Sequence, residues 1–306
     1  MNKAASPNTR SFQFDSPVSN IRLDRYLAQI FPELSRAYLQ KLIIQGSILV
    51  NGQSAKPSHR LDRTDRVTVE LPSLPARPLP ESIPLVIVYE DEDILVIDKP
   101  AGLTVHPAPG HPSRTLVNAV LAHCPGLAMS NESIRPGIVH RLDKDTSGLI
   151  VVTKNEFARE HLVAQFKSRT VTKGYLVLVK GRLSPERGTI EATIGRDPHN
   201  RRRMAIVEAG KEASTQYRVR EYLDGYSLIE VTPVTGRTHQ IRVHLAAIGY
   251  PVVGDPIYGV KSFPLKRQFV HAYRLGFSLP STKQYQEFSS PLPVDLERAL
   301  EYLCGS

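Results

Sequence analysis

A cluster of prolines near the end of the first quarter constrains the architecture of this 306-residue chain more than any other feature. Five prolines fall between residues 72 and 84: Pro72, Pro75, Pro78, Pro80 and Pro84. Proline has a fixed φ and no backbone N–H, so a stretch this rich in proline builds neither a helix nor a central strand. We therefore interpret residues 73–85 as a semi-rigid extended linker between two separately folded parts.

The part before the linker is predicted to contain a tail and one small domain. Residues 1–17 are rich in Ser, Asn and Pro, a composition typical of a disordered tail. In residues 18–72 two helical patterns precede a short strand, and Ser35 is the predicted N-cap of the second helix. The strand ends at Asn51-Gly52, a strong hairpin signal. The prediction is two short helices followed by a small sheet.

Basic charge is concentrated toward this small domain. The chain carries 39 Lys and Arg against 30 Asp and Glu, a net charge of +9, and residues 1–80 hold 11 of these cations but only 6 of the acidic residues. Such an excess favours a polyanionic partner, because bound cations displace counterions from a phosphate backbone. A solvated basic surface is the alternative. Two groups are candidate RNA-binding residues: Arg25, Arg36 and Lys41 in the small domain, and Arg201, Arg202 and Arg203 in a predicted turn.

The part after the linker, residues 86–306, has the pattern of an α+β domain. Short strands dominate it, interrupted by a few helices without regular β-α-β alternation, which predicts a mostly antiparallel sheet. The predicted strands cover residues 86–89, 94–97, 149–153, 175–179, 214–221 and 226–232. The predicted helices cover residues 115–123 and 156–166.

The segment with the most evident chemistry is a polar loop, residues 137–148, ahead of an apolar strand. Within it, Asp143 lies beside cations. A carboxylate in such surroundings can stabilise or attack a sugar carbon as a glycosidic bond breaks. A solvated loop with local capping hydrogen bonds is the alternative. On an extended segment, Asp143 and Asp145 would share a face about 6.6 Å apart, which is within the range of carboxylate separations that glycosidases use.

The small domain resembles the alpha-L RNA-binding domain, which takes its name from a ribosomal small-subunit protein. The matching segments are residues 22–27, 35–37 and 48–52, and the resemblance covers residues 18–72. It implies that this domain binds RNA.

The segment His-Arg-Leu-Asp-Lys-Asp-Thr-Ser-Gly at residues 140–148 resembles the signature of the RluA/RluD-type pseudouridine synthases. Companion motifs of that family occur in the expected order at residues 105–110, 173–176, 235–245, 254–259 and 271–272. Val270 departs from the family pattern, which often has leucine there, and this departure concerns packing rather than chemistry. The resemblance implies a mixed, mostly antiparallel synthase domain that isomerises uridine in structured RNA.

The resemblance also implies the catalytic residues. Pseudouridine formation breaks the C1′–N1 bond of uridine, turns the uracil and joins C1′ to C5, and Asp143 matches the family's catalytic carboxylate. Tyr175 matches an active-site tyrosine, whose ring can stack on the uracil and whose hydroxyl can assist removal of the C5 proton. Arg242 matches the arginine that pairs with the aspartate. Whether the aspartate adds to the sugar, adds to the base or removes a sugar proton stays open.

Four further residues are implied to bind the substrate. Arg141 can fill the space that the target base vacates when it leaves its stack. Arg237 is suited to an RNA phosphate. His140 and His239 complete the predicted substrate-binding set.

We expect neither a cofactor nor a metal. The isomerisation oxidises nothing, and the sequence has no nucleotide-binding glycine loop. His239 and His244 do not form the His-Glu-x-x-His zinc pattern. Cys124 and Cys304 are far apart and are interpreted as structural thiols, which suits a reducing cytoplasm. No apolar run approaches the length of a membrane span, so no membrane association is expected.

The expected partner is RNA, with large-subunit ribosomal RNA or an assembling ribosomal particle as the first choice and transfer RNA as the second. The protein is expected to act as a monomer. Two other functions stay open from the sequence. One is an RNA-binding assembly factor with an inactive synthase domain, and the other is a hydrolase that uses Asp143 and Asp145 and releases free uracil.

Overall fold

The computed structural model describes residues 9–15, 20–31, 34, 36–72, 78–107, 113–129, 136–200, 203–259 and 265–304. The chain divides into two compact units, Met1–Ala76 and Arg77–Ser306. Residues 73–77 of the predicted linker lie outside the described residues. Within residues 78–85, Glu81 N donates to Asn118 O at 2.9 Å, and Asn118 Nδ2 donates to Leu79 O at 2.7 Å. This part of the predicted linker is therefore fastened to the second unit.

The first unit combines two helices with two small sheets. Its strands and helices are β1 (Thr9–Asp15), β2 (Ile21–Arg22), α1 (Leu23–Ile30), α2 (Arg36–Ile44), β3 (Ile48–Val50), β4 (Gln53–Ser54), β5 (Arg60–Leu61) and β6 (Arg66–Pro72). The larger sheet has the order β1-β6-β3-β4, and β2 pairs with β5. The predicted hairpin turn joins β3 to β4, with positive φ values of 51° at Asn51 and 76° at Gly52. Both positions of this turn type require positive φ, which explains the Asn-Gly pair.

The structure corrects the interpretation of the N-terminal tail. Thr9–Asp15 form β1, antiparallel to β6, so the prediction of a disordered tail over residues 1–17 is wrong for this segment. The prediction rested on the polar composition of the segment and overlooked the apolar side chain of Phe12. The Phe12 ring packs edge-on against Phe31, with the ring centroids 5.4 Å apart. The other tail residues, 1–8 and 16–17, and the predicted N-cap Ser35 lie outside the described residues.

The second unit is an α+β domain, as predicted. Its strands are β7 (Val86–Glu90), β8 (Ile94–Lys99), β9 (Ser147–Thr153), β10 (Thr172–Lys180), β11 (Arg187–Glu191), β12 (Ile194–Arg196), β13 (Met204–Ile206), β14 (Ser214–Leu223), β15 (Tyr226–Pro233), β16 (Val270–Ser278) and β17 (Tyr285–Ser289). Its helices are α3 (Leu116–His123), a 3-10 helix (Pro125–Met129), α4 (Glu156–Ser168), α5 (Gln240–Ala247) and α6 (Val294–Cys304). None of the described helices has the length and apolarity that a membrane crossing requires.

One sheet organises this unit. The strand order is β11-β14-β15-β10-β16-β9-β8-β7, and β17 also pairs with β16. Among the strands that the structure describes in this sheet, β9 and β16 are parallel and the other neighbours are antiparallel. This confirms the predicted mostly antiparallel mixed sheet. Strands β12 and β13 form a separate hairpin.

Strands β8 and β9 are buried on both faces, which explains their continuous apolar sequences. Leu95 and Ile97 of β8 lie in one core cluster with α3, whereas Ile94 and Val96 lie in another with α4. Because successive strand residues point to opposite faces, both sets must be apolar when helices cover both sides. The two strands thereby form a rigid support for the loop that precedes β9.

Candidate active site

Asp143 is presented by a turn immediately before β9. Asp143 O accepts a hydrogen bond from Thr146 N at 3.1 Å, and Arg267 Nη1 donates to Asp145 O at 3.1 Å. On the other side of Asp143, Leu142 is buried in the same core cluster as α3. These contacts fix the backbone on both sides of Asp143, while its side chain remains 19% exposed.

This turn removes the geometric basis of the hydrolase alternative. That alternative places Asp143 and Asp145 on one face of an extended segment, but residues 143–146 turn instead. Asp143 lines a cavity of the second unit, whereas Asp145 is not among the described residues that line it. The two carboxylates therefore do not form a pair around one substrate bond.

Arg242, in the first turn of α5, pairs with Asp143 and is itself held by Asp255. Its Nη1 donates to Asp143 Oδ2 at 3.0 Å, and its Nε and Nη2 donate to the two carboxylate oxygens of Asp255 at 2.6 and 2.8 Å. The side chains of Arg242 and Asp255 are 5% and 0% exposed. Burial would raise the pKa of Asp255, but Arg242 and the N–H groups of Ile257 and Tyr258 hold it below its ordinary value. The buried Asp255 carboxylate thus fixes, through two hydrogen bonds, the guanidinium that orients Asp143.

Tyr175 lies on β10, near the centre of the sheet, and lines the same cavity as Asp143. Burial, and secondarily the negative charge of Asp143, raises the pKa of its phenol above the ordinary value. The hydroxyl is therefore neutral at physiological pH. Tyr175 offers an apolar ring and a neutral hydroxyl to a base bound in the cavity.

The start of α5 places two of the predicted substrate-binding residues. His239, the N-cap, has φ +56°, and a non-glycine residue in this left-handed region costs on the order of 1–3 kcal/mol. Its Nδ1 lies 3.0 Å from the Tyr258 hydroxyl, which accepts a hydrogen bond from Met204 N at 2.8 Å. The buried Gln240 side chain accepts a hydrogen bond from Arg237 N at 2.9 Å. These contacts hold His239 and the Arg237 backbone at the cavity.

His140 makes a structural contact that the sequence did not indicate. Its Nε2 accepts a hydrogen bond from Val151 N at 3.0 Å, and its ring stacks on Phe166 with the centroids 4.7 Å apart. Burial, with a contribution from Lys173, lowers its pKa to about 3. The neutral imidazole therefore fastens the loop that carries Asp143 to β9.

Lys99 is fully buried beneath the site and joins two loops. Its Nζ donates to Pro100 O, Leu103 O and Lys144 O at 2.9, 3.0 and 3.0 Å. Burial lowers its pKa to about 7, and nearby carboxylates oppose that shift. Three carbonyl acceptors match the three N–H donors of an ammonium group. Lys99 thus ties the turn that carries Asp143 to the loop after β8.

The predicted catalytic and substrate-binding residues line one cavity of about 630 Å³, a volume typical of a site for a small organic ligand. Arg141 is exposed at this cavity, and so is Arg237. The structure brings all seven of these residues to the cavity: His140, Arg141, Asp143, Tyr175, Arg237, His239 and Arg242.

The candidate RNA-binding residues of the first unit differ in their availability. Arg25 on α1 and Lys41 on α2 are exposed. Arg36 is held by the buried Asp24, to which its Nε and Nη2 donate at 3.0 and 2.8 Å, and its side chain is 44% exposed. Arg25 and Lys41 are therefore the freer cations for phosphate.

The second basic cluster lies at the end of the β12-β13 hairpin. Arg203 Nε donates to Asp197 Oδ2 at 2.5 Å, which occupies part of its guanidinium. Arg201 and Arg202 lie outside the described residues. The RNA-binding role of this cluster stays a prediction.

Among the described residues, one group of side chains offers a set of possible metal ligands. The ligand atoms of Glu90, His123 and Cys124 lie within 4.8 Å of one another. None of the three residues lines the cavity that contains Asp143. Lys154 Nζ already donates to Glu90 Oε1 at 3.1 Å, and an ammonium at that carboxylate competes with a metal ion. The expectation of no metal stays a prediction.

Three residues that support the site, Gln240, Asp255 and Lys99, were given no role in the predictions from the sequence. Two of them nevertheless lie in motifs that match the family. Gln240 falls within residues 235–245, and Asp255 falls within residues 254–259. Lys99 carries a different signal, since a lysine that ends an apolar strand and precedes a proline turn is out of place unless its charge has partners.

Comparison with known proteins identifies the family of the chain. The family model described as RNA pseudouridylate synthase matches residues 93–247, and the S4 domain model matches residues 21–67. The chain therefore belongs to the RNA pseudouridine synthase family and carries an N-terminal S4 domain. Both resemblances drawn from the sequence are confirmed.

Individual relatives match nearly the whole chain. An uncharacterized RNA pseudouridine synthase of Chloroflexus aurantiacus is 52% identical, with 92% of this chain and 90% of the relative covered. The uncharacterized RNA pseudouridine synthase YlyB of Bacillus subtilis is 46% identical, with 92% of this chain and 94% of the relative covered. Ribosomal large subunit pseudouridine synthase D of Neisseria meningitidis is 43% identical, covering 92% and 78%. The solved structure of the human protein named RNA Pseudouridylate Synthase Domain Containing 1 superposes with a TM-score of 0.58 at 33% identity. The match covers 72% of this chain and 89% of the human chain.

Proposed function

We propose that this protein isomerises specific uridines of large-subunit ribosomal RNA to pseudouridine, with Asp143 as the catalytic carboxylate and without a cofactor. The observation that carries the proposal is the series of contacts from Asp143 through Arg242 to Asp255. It holds a partly exposed carboxylate at a fixed position in the cavity that Tyr175 also lines. A positioned anion is what a reaction at C1′ of uridine requires, because positive charge develops on the sugar as the bond to N1 breaks.

The proposed reaction balances without any added group. The C1′–N1 bond breaks, the uracil turns, C1′ joins C5, and the hydrogen on C5 leaves as a proton while N1 takes one up. Arg242 keeps Asp143 in place throughout, and the ring of Tyr175 packs against the uracil. Because the pKa of Tyr175 is raised, its hydroxyl acts in the neutral form and relays a proton instead of serving as a standing phenolate base.

The target uridine must first leave its stack, which costs a few kcal/mol. Arg141 lies two residues before Asp143 and is exposed at the cavity. We propose that its guanidinium enters the position that the base vacates and offsets part of that cost.

The choice of ribosomal RNA is supported by two features. The Neisseria meningitidis relative is named as a synthase of the large ribosomal subunit. The S4 domain presents exposed cations, Arg25 and Lys41, on its two helices. We further propose that the protein acts as a monomer in the cytoplasm.

The RNA class is tested by supplying the protein with three RNAs that carry tritium at C5 of uridine. They are large-subunit ribosomal RNA, assembling large ribosomal particles and transfer RNA. Because joining C1′ to C5 expels the C5 hydrogen, we expect tritium in water from the ribosomal RNA or the particles and none from transfer RNA. Release from transfer RNA alone would contradict the proposed RNA class. Binding without release from any of the three would support an assembly factor.

A further inference from the structure

A second cavity adjoins the first and shares two lining residues with it. It has a volume of about 660 Å³ and is lined by Arg169, Thr189, Glu191, Ser214, Gln216 and Val234. Arg169 and Val234 line both cavities. Because the two cavities lie side by side, a strand of RNA with one nucleotide in the first can extend toward the second.

The floor of the second cavity is a polar patch built by strand pairing. Thr189 is opposite Gln216 and Glu191 is opposite Ser214 in the antiparallel pair of β11 and β14, so these four side chains share one face. Ile190, between the two β11 residues, is buried on the other face. Donors and acceptors thus cover the floor of this cavity, as a surface that contacts the edge of a base requires.

Two cations border the first cavity, and one of them, Arg169, also lines the second. Arg169 is exposed just after α4, and Lys173 lines the first cavity as a partly buried side chain. Among the described residues, neither has a carboxylate as an ion-pair partner. Burial, with the charge of Arg169, lowers the pKa of Lys173 to about 8. Because the protein supplies no counter-ion to these two cations, they form a site for an anionic group of the ligand.

The spacing of these residues fits a nucleotide. Lys173 and Tyr175 are two residues apart on β10, which is about 6.6 Å along a strand. A base packed on Tyr175 therefore has its own phosphate within reach of Lys173. Arg169 then lies on the side toward the second cavity, because it lines both.

We infer that the second cavity binds the nucleotide adjacent to the target uridine, with Arg169 and Lys173 on the intervening phosphate and Glu191 on an amino group of the neighbouring base. The inference rests on the proposed function, since it takes a uridine to occupy the first cavity. A carboxylate repels phosphate and accepts hydrogen bonds, so Glu191 suits a base edge better than the backbone. Uracil offers such an acceptor only its N3–H, whereas adenine, cytosine and guanine carry exocyclic amino groups, so this subsite favours one of these three as the neighbour.

Equilibrium binding to short single-stranded oligoribonucleotides tests the inference without depending on turnover. Each probe contains one uridine, and the bases on its two sides are varied in turn. We expect an amino-bearing base on one side to tighten binding about tenfold, and Glu191→Ala, which removes the acceptor, to abolish that preference. Arg169→Gln and Lys173→Gln should each reduce the slope of log affinity against log salt by about 0.7, as the removal of one phosphate-binding cation from a single-strand site predicts. Lys173→Arg should keep the slope.

The matched controls are cations on the same strands outside both cavities. Lys180→Gln, at the other end of β10, and Arg187→Gln, on β11, should leave the preference and the slope unchanged. Slopes for Arg169→Gln and Lys173→Gln equal to these controls would overturn the phosphate site. Equal binding of all neighbouring bases by the wild-type protein would overturn the base subsite. Because the measurement is binding, a neighbour preference without tritium release would instead count against the proposed isomerisation.

Discussion

Arg242 is bound more completely by Asp255 than by Asp143. It gives two hydrogen bonds to the buried Asp255 carboxylate and one to Asp143 at the cavity. A guanidinium anchored on its buried side can orient a carboxylate on its open side without moving itself. Asp255 is therefore a positioning residue, since its effect on the reaction passes through Arg242.

Asp255→Asn should lower both stability and turnover. The substitution leaves the buried Arg242 without its full counter-charge, so we expect the free energy of unfolding in urea to fall by about 3 kcal/mol. Misplacement of Asp143 should lower kcat about a hundredfold with little change in RNA affinity. Glu287→Gln, which breaks the exposed pair with Arg274, is the matched control and should cost less than about 1 kcal/mol. Equal effects of the two variants would disprove the positioning role.

His140 should make the stability of the protein depend on pH in the acid range. Burial lowers its folded-state pKa from 6.5 to about 3, so between these values the unfolded chain binds a proton that the folded chain does not. Stability is therefore lost as the pH falls below about 6.5, by up to about 1.4 kcal/mol per pH unit from this group. His140→Asn keeps an acceptor for Val151 N and removes the titration, so its urea-unfolding profile should be flatter there. Parallel profiles of the two proteins would exclude this contribution.

At the residue level, the sequence predicted the side chains that line the cavity better than those that support them. Asp143, Tyr175 and Arg242 belong to separate motifs and do line one cavity. The supporting contact from Asp255 to Arg242 joins residues 13 apart across a helix and a turn. Nothing in a single sequence shows that such a turn folds back onto the helix.

At the element level, the turn before β9 depends on Gly148. This glycine has φ +110° and pairs with Ala272 in the parallel contact between β9 and β16. A Cβ added there would lie 2.3 Å from Ala272 O, an atom of the backbone that cannot move aside cheaply. The glycine therefore permits the close approach that sets the catalytic turn on the sheet.

Gly148→Ala should lower the free energy of unfolding by more than about 2 kcal/mol, because the new side chain meets both an unfavourable φ and the Ala272 carbonyl. Chemical denaturation provides the measurement, with tritium release as a second readout that should fall as the turn shifts. Gly126→Ala is the control, since Gly126 has no positive φ and no neighbour within 4 Å of an added Cβ. A destabilisation no greater than that of the control would show that the close approach is unimportant.

Element types were predictable where the apolar pattern was long, and hairpin pairing was predictable at the Asn-Gly turn. Pairing between strands distant in sequence was not. Helices α3 and α4 and strands β8, β9, β10, β14 and β15 match their predicted positions within a few residues. Strand β1 was missed because its segment is polar apart from its phenylalanines. The parallel contact of β9 with β16, which brings residues more than a hundred apart together, leaves no local signal.

At the level of the whole molecule, we expect RNA affinity and chemistry to depend on different side chains. Replacing both Arg25 and Lys41 of the S4 domain with Gln should raise KM and leave kcat unchanged, because these side chains bind phosphate and not the reacting base. The slope of log affinity against log salt should fall by about one for each phosphate-binding cation removed. Arg63→Gln, an exposed cation of the same unit outside α1 and α2, should change neither quantity. A drop in kcat for the double variant would contradict this separation.

The central claim, that Asp143 is the catalytic carboxylate of an isomerase, is tested most directly by single-turnover reactions of wild type, Asp143→Asn and Asp145→Asn on RNA with tritium at C5 of uridine. Water-soluble tritium and free uracil are measured together. We predict tritium release without free uracil for the wild type and for Asp145→Asn, and no release for Asp143→Asn although it still binds the RNA. Undiminished release by Asp143→Asn, or free uracil as the product, would contradict the claim.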